Sequence, residues 1–353
     1  MNEVTSESAG WLTDAPERSH GAFGRNASTV HARHGWLCRL ASLKLTLVFI
    51  VLLAASIIAA YSTGAAGAWP IAIPLGLLAI NLTAAILTNT AFRRQTALLV
   101  FHLALLAIVV LAAAGRMTYL KGELELSTGE AFSGELTRSQ QGPWHLSRLE
   151  RVTFSNEGYT IAYAPGVRRN ETRNRVSWTD AGGRRYVSVI GDQQPLVREG
   201  YRFYTSFNKG YAPVFTWQPA HGAASRGTIH LPAYPIHEHA QALQWTLPGT
   251  DAKIWVMLDL DEVVLDPAQA SEFRLPSDHT LVVRDGSERR ELVPGGRYVT
   301  PHGVLVYEGL TTWMGYSVFY DWTMPWLLAA CVLAVGALGW HFWRKFGTRP
   351  WDC

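Results

Sequence analysis

Apolar positions along this chain fall into two kinds of pattern. Four long runs are almost uninterrupted: Leu43–Thr63, Pro70–Phe92, Thr96–Gly115 and Met324–Trp343. A membrane-spanning helix needs about 20 such residues, so each run predicts one span. Trp322, Trp326, Trp340 and Trp343 bracket the last, as interfacial aromatics do. A polar stretch precedes the first run without a small-residue cleavage site, which argues against a cleaved signal peptide.

Between the third and fourth runs the pattern changes to short alternating or β-branched segments. These are Arg185–Ile190, Tyr201–Phe207, Pro213–Trp217, Lys253–Leu258, His279–Val283, Tyr298–Thr300 and Gly303–Tyr307. Turn chemistry punctuates them at Asn156-Glu-Gly158, Ala181-Gly-Gly183, Asp285-Gly286 and Pro294-Gly-Gly296. The segment is long enough to bury its own core. The fold class predicted is therefore a polytopic α-helical membrane protein with four transmembrane helices and a β-rich extracytoplasmic domain.

Overall composition conceals this division, because 48% hydrophobic residues would also suit a soluble protein. Charge gives orientation instead. Arg33, Arg39 and Lys44 precede span one, Arg93 and Arg94 join spans two and three, and Arg344, Lys345 and Arg349 follow span four. The short Ser62–Trp69 loop carries no charge. The positive-inside rule then places both termini in the cytoplasm and the long middle segment outside. The expected organisation is a cytoplasmic tail at 1–42, spans at 43–116, an outer domain at 117–321, a last span at 322–345 and a short tail at 346–353. The Ser-, His- and Arg-rich first tail reads as disordered. The outer segment has 20 Lys and Arg against 23 Asp and Glu, which excludes a basic nucleic-acid surface.

One residue stands out inside the third run. His102 is an ionisable side chain in an otherwise apolar helix, and such residues are costly enough to mark a functional site by default. The plain alternative is a hydrogen bond to the neighbouring span, to Asn81 or Thr83.

Five segments, in this order, resemble the ResB (CcsB-type) family of cytochrome c biogenesis. They are Ser42-Leu-Lys-Leu-Thr-Leu47, Ile80-Asn-Leu82 with Arg93-Arg94, and Phe101-His-Leu-Ala-Leu-Leu106 with Gly115 and Lys121-Gly-Glu123. Gly191-Asp-Gln-Gln-Pro-Leu196 leading to Gly200-Tyr-Arg-Phe-Tyr204, and Gly315-Tyr-Ser-Val-Phe-Tyr-Asp321, complete them. The chain departs from the family pattern at Asp192-Gln193, where Val-Asn is usual, and at Thr205, where Gln is usual. The resemblance implies a bacterial inner-membrane subunit of a haem delivery and attachment complex, not an enzyme alone. It implies haem b as cofactor, with His102 as an axial ligand to the iron through a neutral imidazole nitrogen. It also implies three partners: a polytopic tryptophan-rich haem-handling protein of the CcsA/ResC type, apocytochrome c, and membrane lipid.

The remaining candidates are weighed against this. His341, beside Trp340 and Arg344, would make a two-histidine b-haem electron carrier if it faced His102, but a helix-end position suits an interfacial residue better. His237 and His239 would share one face of an extended strand, with His230 near, but no third ligand has a clear metal spacing. His20, His31 and His34 lie in the first tail. Cys38, Cys331 and Cys353 all fall outside the outer domain, so a disulfide there is excluded. Without Cys-x-x-Cys or Cys-x-x-Cys-His the chain neither runs thiol redox chemistry nor carries covalent haem. A further reading from a different class is a membrane-anchored β domain that binds a protein or ligand outside, with His102 merely structural.

Overall fold

A computed structural model describes residues 35–63, 67–236, 241–286 and 288–347. Four of its helices are long and apolar enough to cross a membrane. They are α1 (Leu43–Thr63), α2 (Trp69–Thr88), α4 (Thr96–Thr118) and α5 (Met324–Phe346), with a short α3 (Thr90–Arg94) between the second and third. Each long helix packs on the next in chain order. Asn81 fixes the first pair. Its amide donates to the carbonyls of Leu40 at 2.5 Å and Ser42 at 3.2 Å, and its carbonyl accepts from Thr46 at 2.7 Å. Leu40 and Ser42 lie at a helix break just before α1, where carbonyls lack intrahelical donors.

The second apolar run does not continue to Phe92 as one helix. It ends at Thr88, because Asn89 is extended and its side chain accepts from the Ala91 N–H at 2.9 Å, which starts α3 afresh. Phe92 therefore turns back toward α4 rather than prolonging α2.

The region between α4 and α5 folds into three antiparallel sheets, in agreement with the predicted class. The largest has the order β2-β1-β15-β7-β6, with β14 on β15 and β8 on β7. Here β1 is Leu120–Ser127, β2 is Arg138–Gln141, β6 is Leu196–Arg198, β7 is Tyr201–Pro219, β8 is Ser225–Thr228, β14 is Arg297–Thr300 and β15 is Gly303–Tyr320. A second sheet joins β13 (Glu288–Leu292), β12 (His279–Asp285), β10 (Lys253–Leu260) and β9 (Ala242–Thr246). The third joins β11 (Ser271–Glu272), β3 (Ser155–Ala164), β4 (Arg168–Thr179) and β5 (Arg185–Ile190).

Strands β7 and β15 pair from Tyr201↔Tyr320 to Pro219↔Gly303 and form the spine. The runs Tyr201–Phe207 and Pro213–Trp217 are thus one strand. Asn208, Lys209 and Gly210 between them are strand residues, and Gly210 is where the strand passes the Trp313 indole: a Cβ there would meet its Nε1 at 2.9 Å. Asn156-Glu-Gly158 is likewise not a turn but a register shift inside β3, with Gly158 at φ +108°. The core is aromatic, with Tyr201, Phe203, Tyr211, Tyr307 and Tyr316 all buried.

Thr205 and Asp192 meet in space. Thr205 donates to Asp192 at 2.7 Å, and Arg169 donates to the same carboxylate oxygen at 2.7 Å.

Candidate functional site

His102 sits in the second turn of α4, at the end of the bundle away from the β domain. Its Nδ1 lies 2.8 Å from the carbonyl of Leu98, one turn earlier. A carbonyl can only accept, so Nδ1 carries a proton, and in the neutral ring Nε2 then keeps the lone pair. This is the tautomer a metal-ligating histidine adopts when a backbone oxygen holds its other nitrogen. No hydrogen-bond partner for Nε2 occurs among the described residues. The ring is half-buried, with Phe92 at 4.5 Å between centroids and Phe101 at 5.2 Å.

The plain alternative for His102 does not hold in the form expected. Asn81 is occupied by Leu40, Ser42 and Thr46, and Thr83 donates to Ala79 within its own helix at 2.7 Å. Phe92 was not legible as a neighbour of His102. The signal that could have found it is Asn89, a helix-capping residue inside an apolar run.

His341 occupies a different face. Ala97 lines a cleft with His341, and a Cβ on Gly115 would meet the Thr323 hydroxyl at 2.7 Å. Ala97 and Gly115 are about five full turns apart, so they share one line along α4, the seam against α5. His102 lies about 140° around the helix from that line. A haem held between His102 and His341 as facing ligands is disfavoured by this geometry.

Of the other histidines, His230 has structural work. His230 places Nδ1 at 2.9 Å from Glu125 and Nε2 at 3.0 Å from Ser127, and it stacks on Trp313 at 5.1 Å. His237 and His239 lie outside the described residues. Among the described residues, no group of three or more His, Cys, Asp or Glu could hold a metal ion. A lone imidazole with a free lone pair suits an axial haem position, where the macrocycle supplies the other donors, better than it suits a zinc or calcium site.

Sequence reasoning missed His145, which joins the β domain to the spans. Its Nδ1 donates to the Thr118 carbonyl at 2.8 Å, at the end of α4. In the neutral ring its Nε2 then accepts from the Tyr201 hydroxyl at 3.0 Å, and that hydroxyl accepts from the Arg148 N–H at 3.0 Å. Beside it, the Trp144 and Met117 backbones bond at 2.9 Å, and Trp144 meets Trp69 edge-on at 6.0 Å. This collar holds the β domain against the N-terminal end of α2 and the C-terminal end of α4.

No curated protein matches the chain. Among solved structures it is similar to one described as Cytochrome c Heme Lyase CcmF, at 16% identity and a TM-score of 0.24, a likeness too distant to carry an argument. That alignment covers 89% of this chain and 39% of the other, so the chain spans well under half of that protein's length. The ResB-like family model matches residues 83–345, which include His102, the last two spans and the whole β region. With the family model matched over well over half its length, the chain belongs to the ResB-like family.

Proposed function

We propose that this chain, a ResB-like protein of cytochrome c biogenesis, is the subunit that holds haem b within the membrane through His102 during delivery to apocytochrome c. The observation that carries the reading is the pairing of His102 Nδ1 with the Leu98 carbonyl, which leaves Nε2 as a fixed lone-pair donor. Haem supplies an iron with axial positions that accept such a nitrogen. The chain's own part is to orient the imidazole through Leu98 and to flank it with Phe92 and Phe101.

The opposing ligand comes, in this reading, from a polytopic tryptophan-rich partner of the CcsA/ResC type, since His341 lies on another face of the bundle. The β domain stands outside the cell membrane, with both termini in the cytoplasm. It braces that partner or presents apocytochrome c. Strand β5 ends its sheet with Val187 and Val189 exposed, an edge on which an extended polypeptide can pair.

The test is His102→Ala in the full chain co-expressed with its partner. Haem co-purifying with the complex and the yield of mature cytochrome c are expected to fall, with membrane insertion intact. Added imidazole, able to enter the vacated place, is expected to restore part of the haem absorbance. His341→Ala is expected to do much less. A full haem spectrum and normal cytochrome c in the His102 variant would overturn the reading.

A further inference from the structure

The loop Gly142-Pro-Trp-His-Leu-Ser147 follows β2 and carries no Lys, Arg, Asp or Glu, although Arg138 precedes it and Arg148 ends it. Its depth is fixed by α4. The Trp144 N–H donates to the Met117 carbonyl at 2.9 Å, and a Cβ on Gly142 would collide with the same carbonyl. On the next residue, the Thr118 hydroxyl accepts from the Trp322 indole at 2.9 Å, just before α5. Trp144 and Trp322 therefore stand at one level, on the last turn of a span. Trp69, the first residue of α2, meets Trp144 edge-on at 6.0 Å. Tryptophans grouped at the ends of apolar helices mark the boundary of membrane and water.

Packing accounts for part of this arrangement. Ala68, Ala72 and Met117 form a small buried cluster, and Trp144 sits beside it. The indole nevertheless stays 60% exposed, and Leu146 stays 78% exposed. Between them His145 turns inward, to the Thr118 carbonyl and the Tyr201 hydroxyl, so the polar ring of the loop is satisfied by protein. A single exposed leucine is ordinary on any surface. Two large apolar side chains left outward by an uncharged loop, level with the ends of three spans, continue the lipid-facing surface of those spans.

We infer that this loop enters the bilayer interface on the β-domain side, and that lipid, at the boundary of headgroups and acyl chains, covers Trp144 and Leu146. An indole has an apolar body and one N–H donor and suits that boundary, whereas the Leu146 side chain has only acyl chains to gain. The β domain then has a hold on the membrane of its own, besides its two covalent links to α4 and α5. The inference stands apart from the haem reading, because the loop packs on the last turn of α4 and His102 lies in the second.

Spin labelling of the full-length protein tests this, with Cys38, Cys331 and Cys353 replaced by serine and the protein held in phosphatidylcholine–phosphatidylglycerol nanodiscs. A nitroxide on Leu146→Cys is compared with one on Val299→Cys. Val299 is also exposed, and it pairs with Val304 at the end of β15 away from α5. The label at 146 is expected to collide with oxygen, which concentrates in lipid, severalfold more often relative to a water-soluble nickel chelate than the label at 299. Equal ratios at the two sites would overturn the inference. So would low accessibility of the label at 146 to both reagents, which would mean that protein covers the loop. The unmutated wild type gives a second measurement. Phosphatidylcholine with a photoreactive group in its acyl chain is expected to mark the tryptic peptide 139–148, and labelling confined to the four spans would also overturn the inference.

Discussion

Leu120 pairs directly with Tyr320 across adjacent antiparallel strands. Leu120 lies two residues beyond α4 and Tyr320 four residues before α5, so two spans run straight into two neighbouring strands of the main sheet. The β domain is therefore not tethered by flexible linkers. Between the helix ends, Asp321 accepts from the Thr323 N–H at 2.9 Å and from its hydroxyl at 2.6 Å, which caps the turn from strand into helix. The β domain thus begins two residues beyond the helix that carries His102.

This joint depends on close approach at Gly115. An added Cβ would lie 2.7 Å from the Thr323 hydroxyl and 3.4 Å from Asp321. Gly115→Ala is expected to destabilise the full-length protein in detergent by about 1–3 kcal/mol through overpacking. Gly76→Ala in α2, where a Cβ meets nothing within 4 Å, is the control and should be near neutral. Equal thermal midpoints for both variants would contradict the close contact.

The collar makes a second expectation. Tyr201→Phe removes one hydroxyl and leaves both His145 Nε2 and the Arg148 N–H without that partner. The loss is expected to be about 1–3 kcal/mol, the cost of stranding partly buried polar groups. Trypsin cleavage at Arg148 should accelerate in the variant if the collar loosens. Wild-type cleavage rates and an unchanged midpoint would show that the network contributes little.

Lys209 gives a stability prediction with a definite pH sign. It is 2% exposed, its Nζ donates to the Tyr234 carbonyl at 3.2 Å, and burial first, then the charge of Arg169, lowers its pKa to about 8. The unfolded chain keeps that proton to near the ordinary 10.5. Below pH 8 the folded state carries a charge it disfavours. The contribution to stability is therefore fully present above 10.5 and is lost as pH falls through about 8. Lys209→Met is expected to stabilise the protein at pH 7 by about 1–3 kcal/mol, net of the lost hydrogen bond and of ring contacts with Tyr163 and Phe273. It should also flatten the rise in stability between pH 8 and 10.5. A variant less stable than the wild type at pH 7 would refute this.

Orientation can be read directly. A reporter inserted at Gly183, in the open turn between β4 and β5, is expected to show periplasmic activity only, and one at the C-terminus cytoplasmic activity only. Cytoplasmic activity at Gly183 would reverse the arrangement.

The sequence by itself determined the four spans, the β class of the region between them, and the presence of one ionisable residue within the third span. All three are local properties. Hydropathy summed over about 20 residues decides insertion, and alternation over a few residues decides strand. Most turn positions were legible for the same reason, since Ala181-Gly-Gly183 needs no distant partner to bend.

What only the tertiary structure decided is pairing and facing. Asn208-Lys-Gly210 carries turn residues, yet Trp313, far along the chain, makes a continuous strand of the segment. Asn81 was available to His102 by sequence, yet Leu40, Ser42 and Thr46 satisfy it first. The proton on His102 was undetermined until the Leu98 carbonyl was placed against Nδ1. Register, close approach and tautomer depend on which groups meet across many intervening residues, and no window along the chain contains both partners.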